Sequence, residues 1–205
     1  MEALWDDAVR VLGGVPRPTD LCERYTEAHR GYHNADHVRQ VVRDAVALCV
    51  GCSAREVAVV TLAALAHDVV YDGKPGDDER RSAEWARDEL VAVGVSAVDV
   101  ARVEGLVLAT LTHEALPDDR LAAALLDADL AVLGADPVGY ERYRVAVRRE
   151  YAHVPEEAWR VGRAAVLNSL VKREALYITE GARERWSVAA RRNMVGELAL
   201  LGEVG

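Results

Sequence analysis

Four short segments hold most of the side chains able to do chemistry. Tyr32-His33-Asn34-Ala35-Asp36-His37 carries two histidines four residues apart, which share one helix face if the helix begins at or before His33. Leu65-Ala66-His67-Asp68-Val69-Val70-Tyr71-Asp72 puts an adjacent His and Asp at the end of a very apolar stretch, a costly placement unless the two groups are partnered or ligated. Ala109-Thr110-Leu111-Thr112-His113 closes a second apolar helix, and Asp127 and Asp129 interrupt the apolar run from Leu125 to Ala131. Taken singly, each has an ordinary explanation: a His caps a helix end or sits satisfied in a core, and an Asp caps the next element. Four of the 6 histidines fall in these segments, however, and imidazoles and carboxylates facing inward from different helices are how helical bundles build metal sites.

The elements that must position these groups are helices. Apolar residues recur at three- and four-residue spacing, period-two alternation is scarce, and with no Phe the core is built from Ala, Val and Leu. The expected fold class is all-α in a single domain over 1–205, with the metal-site core at about 25–135 and the helices of 137–201 packed on it. Helices are expected at 2–12, 19–28, 34–50, 53–69, 79–93, 97–112, 119–133, 137–152, 156–173 and 183–201, broken at Gly and Pro. Ser53 with Glu56 reads as a capping box, and Thr19 and Ser96 as N-caps.

Composition narrows the function classes. The 205 residues are 51% hydrophobic and 29% charged, the balance of a globular chain rather than a disordered one. With Lys+Arg 25 against Asp+Glu 34 the net charge is −9, which speaks against a broad nucleic-acid surface, so an anionic substrate must be held locally. No apolar run reaches a membrane span, and the first residues lack the basic start and apolar run of a signal peptide, so a cytoplasmic location without membrane contact is expected. Cys49-Val50-Gly51-Cys52 spells CxxC, but it has no second pair, no following His and no βαβ context; it reads as two incidental cysteines at a helix end.

The ordered set Tyr32-His33-Asn34-x-x-His37, His67-Asp68 and Ala128-Asp129-Leu130 resembles the HD superfamily of metal-dependent phosphohydrolases. Further segments resemble a bacterial family of small, stand-alone HD phosphohydrolases: Tyr25-x-Glu27-x-His29-Arg30, Asp78-Glu79-x-x-Ser82-Ala83, Arg148-x-Glu150-Tyr151 and Ala190-Arg191-x-Asn193. The likeness spans about residues 25 to 200. The segments around His33, Thr110 and Asp129 are also similar to those lining the active sites of cyclic-nucleotide phosphodiesterases, which implies a place for His113 beside the substrate.

What the resemblance implies is specific. His37, His67, Asp68 and Asp129 would hold one or two divalent ions, with Mg, Mn, Fe, Co, Ni and Zn all compatible with imidazole and carboxylate donors. Asp127 is the rival to Asp129; two apart on a helix, they cannot face the same way. Asp68 would bridge two ions, His33 would protonate the leaving group, and Glu79, with Asp72 as its competitor, would orient the attacking water. Arginine grips phosphate best, and Arg30 is the first candidate, with Arg191, Arg148 and Arg163 as alternatives and Asn193 and Tyr151 beside them. Tyr32, Tyr71 and Tyr143 are available to stack on a base. The expected activity is hydrolysis of a small phosphate ester, a nucleotide or related phosphomonoester, in a chain for which a homo-oligomer is left open. The alternatives are an HD-type diiron oxygenase, which wants two histidines between the HD pair and the last Asp where this chain has only His113, and a non-catalytic HD module that binds a ligand.

Overall fold

A computed structural model describes residues 1–202, and among them the regular structure is entirely helical. The helices are α1 (Glu2–Val11), α2 (Leu21–Arg24), α3 (Ala35–Leu48), α4 (Ala54–Ala66), α5 (Asp77–Ala92), α6 (Ala97–Ala109), α7 (Arg120–Asp129), α8 (Pro137–Glu150), α9 (Glu156–Val171) and α10 (Glu180–Gly202), with a 3-10 turn at Leu130–Gly134. The chain divides into two compact units, Met1–Ala128 and the part from Asp129 onward.

The first unit is organised around α4. From Ala58 to Ala66 its sequence, AVVTLAALA, is apolar on every side, and a helix of that kind is stable in water only if other helices surround it. The residues from Ala58 to Ala66 are all buried, and α1, α3, α5 and α6 pack on it. The abundant Ala lets neighbouring helices approach closely. The fully buried Leu62 and Leu65 supply much of the apolar area, and truncating either to Ala would cost about 2–5 kcal/mol. The cap residues are those expected from sequence at two helices: Ser53 and Glu56 form a reciprocal capping box on α4, and Ser96 caps α6. Thr19 instead sits one residue outside α2, where Asp20 is the N-cap, and its hydroxyl accepts the Leu21 N–H at 3.3 Å.

In the second unit α10 runs along the 3-10 turn and α9, and α8 packs on the same turn. Gly134 is required by the first of these contacts, because a Cβ there would lie 2.5 Å from Trp186 Cβ. A buried polar group fixes the same region: Asn193 donates to the carbonyls of Leu133 and Ala135 at 2.9 and 2.8 Å.

Two expected helices differ from what is found. The segment expected to be helical over 19–28 forms only the single turn of α2, after which the chain continues in separate turns to Arg30, whose guanidinium bonds the Asp68 carbonyl. The helix expected over 119–133 ends at Asp129 and tightens into the 3-10 turn, whose Leu130 carbonyl accepts the Tyr177 hydroxyl at 3.0 Å. No helix among the described residues is long and apolar enough to cross a membrane.

Candidate metal centre

Three helix ends bring the chemistry together. His37 lies in the first turn of α3, and Asn34 sets where that turn begins. The Asn34 Oδ1 accepts the N–H groups of Asp36 and His37 at 2.9 and 3.4 Å, while its Nδ2 donates back to the Gly31 carbonyl at 2.9 Å. His67 is the residue that ends α4, and Asp129 is the last residue of α7. Ligand atoms of His37, His67 and Asp129 lie within 4.8 Å of one another, with both imidazoles buried and the carboxylate partly exposed.

Asp68 adds a second carboxylate to this group. Its Oδ2 is 3.1 Å from His67 Nε2 and 3.4 Å from His37 Nε2, and the two Nε2 atoms are 3.3 Å apart. The His67 Nδ1 is 2.9 Å from the Ala64 carbonyl, which can only accept, so Nδ1 carries a hydrogen and Nε2 faces the cluster. Lone pairs this close repel unless a proton or a cation lies between them. A separation of 3.3 Å is what two imidazole nitrogens show when each stands about 2.1 Å from one ion. The donor set of His37, His67 and Asp129 therefore fits a divalent cation, with the Asp68 carboxylate beside the two imidazoles. Burial alone would push the Asp68 carboxyl up, but His67, His37 and His33 around it outweigh burial and hold it well below the ordinary carboxylate range.

The backbone that delivers His67 and Asp68 is braced from outside. A buried helix C-terminus leaves carbonyls without partners, and each one must find a donor. Tyr25 donates to the Leu65 carbonyl at 2.9 Å, and Arg30 donates to those of Asp68 and Val69 at 2.7 and 3.0 Å. The Val70 N–H donates to the Ser82 hydroxyl at 3.0 Å, and His29 reaches the Tyr71 carbonyl at 2.7 Å. Tyr25 and Ser82 carried no role in the sequence reading. The signal that could have raised them is the apolar helix end itself, with carbonyls to be satisfied and few local donors.

Several expected site residues turn out to be structural. Arg30, the first choice for gripping phosphate, has a side chain 0% exposed. It spends its guanidinium on Glu27 and the carbonyls of His33, Asp68 and Val69, between the rings of Tyr25 and Tyr71. Glu79, expected to orient water, caps α5 by accepting the Gly76 N–H at 2.5 Å. The buried acid of that segment is Asp78, whose Oδ2 accepts the N–H groups of Asp72 and Lys74 and so shapes the loop after the HD pair. Asp72 pairs with Arg81 at 2.6 Å.

The remaining candidates are distributed as follows. Tyr32 lies against His37 with ring centroids 4.5 Å apart. His33 stacks on Tyr71 at 4.1 Å and meets the His37 ring edge-on at 5.6 Å. His113 follows α6 with φ 51 and its N–H on the Ala109 carbonyl, and it is not part of the ligating group. Asp127 is buried, and the carboxylate in the group is that of Asp129. In the second unit Arg191 is exposed on α10. Arg148 bonds the carbonyls of Tyr151 and Val154 and the Glu156 carboxylate, closing the end of α8, and Arg163 pairs with Glu197.

No family model matches this sequence, and no curated protein or solved structure matches it either.

Proposed function

We propose that this chain is a divalent-metal-dependent phosphohydrolase of the HD type, acting on a small phosphate ester. The observation that carries the reading is the convergence of His37, His67 and Asp129, with the Asp68 carboxylate 3.1 and 3.4 Å from the two imidazoles. A divalent cation bound there supplies a Lewis acid for a phosphoryl oxygen and a means of activating water near neutral pH. The chain's own part is to hold the donors ready. Arg30, Tyr25 and Ser82 fix the backbone of residues 65–70, Asn34 fixes the start of α3, and the Ala64 carbonyl fixes the His67 ring.

His33 is the proton donor in this reading. Its ring is held by Tyr71 on one face and meets the His37 ring edge-on at 5.6 Å, so it stands beside the ligands while not being one of the ligating group. Imidazole is suited to this task because it exchanges a proton near neutral pH. Tyr32 packs against the His37 ring, centroids 4.5 Å apart.

The test is a screen of metal-loaded protein against nucleotides, dinucleotides, cyclic nucleotides and sugar phosphates, with His67→Ala as the blank. Turnover of at least one ester by the wild type and none by the variant is expected. Equal turnover by both would overturn the assignment.

A further inference from the structure

The CxxC segment joins α3 to α4 at the ends of those helices remote from His37 and His67. Cys49 ends α3 and is buried, whereas Cys52 is partly exposed just before the Ser53 cap of α4. The Cys52 N–H donates to the Cys49 carbonyl at 3.1 Å, closing a four-residue turn in which Gly51 takes the left-handed conformation at φ 75. Such a turn holds its end Cα atoms within about 7 Å, and disulfides span Cα separations of about 4.4–6.8 Å. The Arg120 guanidinium acts on both thiols, and it is itself bonded to the Glu56 carboxylate at 2.6 Å.

We propose that Cys49 and Cys52 are a reversible dithiol–disulfide pair, oxidised by low-molecular-weight disulfides of the glutathione type. The order of events follows from exposure. The Cys52 thiolate, reachable from solvent and beside a guanidinium, attacks one sulfur of the small disulfide and expels the other half as a thiolate. Cys49 then loses its proton to that thiolate or to water, and its sulfur displaces the bound half. In sum, two protein thiols are oxidised to one disulfide and the small disulfide is reduced to two thiols. Burial pushes the Cys49 thiol up to about 12, which suits it to the second, intramolecular step rather than to the first. The two fixed helix ends and the Gly51 conformation already in place mean that closure asks for little backbone movement.

The test is to treat the reduced full-length protein with oxidised glutathione and follow free thiols and intact mass. Free thiols are expected to fall from 3 to 1, with loss of two hydrogens, a Cys49–Cys52 cross-linked peptide and two equivalents of reduced glutathione released. Cys49→Ser should stop at a single glutathione adduct on Cys52, and Cys52→Ser should leave Cys49 unmodified. A lasting adduct on wild-type Cys52, pairing through Cys22, or no loss of thiol would each overturn the proposal. Should Cys49→Ser fail to fold, the wild-type mass and the Cys52→Ser result decide the matter without it.

Discussion

Two buried polar clusters, one built on Arg163 and Glu197 and the other on His37 and His67, differ in what they bring together. In the second unit Arg163 grips the Glu197 carboxylate with two parallel bonds of 2.8 and 3.0 Å, Tyr140 donates to the same carboxylate at 2.6 Å, and the Tyr143 hydroxyl accepts from Arg163 at 3.1 Å. The Arg144 guanidinium adds a second positive charge nearby, its Nε 3.9 Å from Glu197 Oε1. Burial and the Glu197 carboxylate push the Tyr140 hydroxyl far above the usual phenol range, so the hydrogen stays on it. At the other cluster His37, His67 and Asp129 converge, with the Asp68 carboxylate beside the two imidazoles and the His67 Nδ1 directed away to the Ala64 carbonyl. The first pattern is that of a salt-bridged brace, and the second is that of a cage, a group able to hold a cation.

Removing a member of the cage has the largest expected effect. His67→Ala and Asp68→Ala should each abolish stoichiometric binding of a divalent ion, measured by elemental analysis after dialysis. The same variants should lose the thermal stabilisation that added ion gives the wild type, about 2.7 kcal/mol at an ion concentration 100-fold above its Kd. If both variants keep the ion and the stabilisation, the contrast between the two clusters disappears.

The brace should respond in the opposite sense. Glu197→Gln leaves the buried Arg163 charge without its partner, which costs about 3–5 kcal/mol in urea unfolding while ion stoichiometry stays unchanged. The double variant Arg163→Met with Glu197→Leu removes both charges, and it should recover a large part of that loss. A double variant as unstable as the sum of its single changes would mean that the pair is more than mutual compensation.

The two clusters also differ in how far the sequence discloses them. His67-Asp68 at the end of an apolar helix, and His33 and His37 four apart, are visible because the residue types are unusual for their surroundings and close in the chain. The helices themselves follow from Ala and Leu periodicity, and their starts at α4 and α6 follow from Ser caps. Arg30 is the harder case: two of its partners, Glu27 and the His33 carbonyl, are local, but the two that bury it against the end of α4 are carbonyls 38 and 39 residues away. Arg163 and Glu197 are 34 residues apart on two helices, each residue unremarked in its own segment. Asp78 and Glu79 show the finer limit. Neighbours in a charged run, they part company only when the loop folds, one buried under the HD turn and the other capping α5.

Asn34 tests whether the cage depends on its scaffold as much as on its ligands. Asn34→Ala removes the cap on α3 and the bond to the Gly31 carbonyl, at a cost of about 1 kcal/mol in stability. Because the cap fixes the turn that carries His37, ion affinity should fall by about 10–100-fold, read by titration with a competing chelator. Lost stability with unchanged affinity would separate the cap from the site.

The smallest effect lies on α4 itself, whose two ends repeat the contrast. Its last turn delivers His67 to the cage, and its first turn is a closed set. The Glu56 carboxylate accepts from Arg120 at 2.6 Å and from the N–H and hydroxyl of Ser53 at 2.8 Å each. Those bonds, Arg120 foremost, lower the Glu56 carboxyl from 4.5 to about 2. A carboxyl depressed in the folded state contributes stability in full above its unfolded value and loses it as pH falls through the folded one. The difference in unfolding midpoint between wild type and Glu56→Gln should therefore be constant above about pH 4.5 and shrink between there and about pH 2. The other carboxylates titrate equally in both proteins and cancel in the difference, so a gap that stays constant across this range would show that the first turn of α4 is held by packing rather than by its charge.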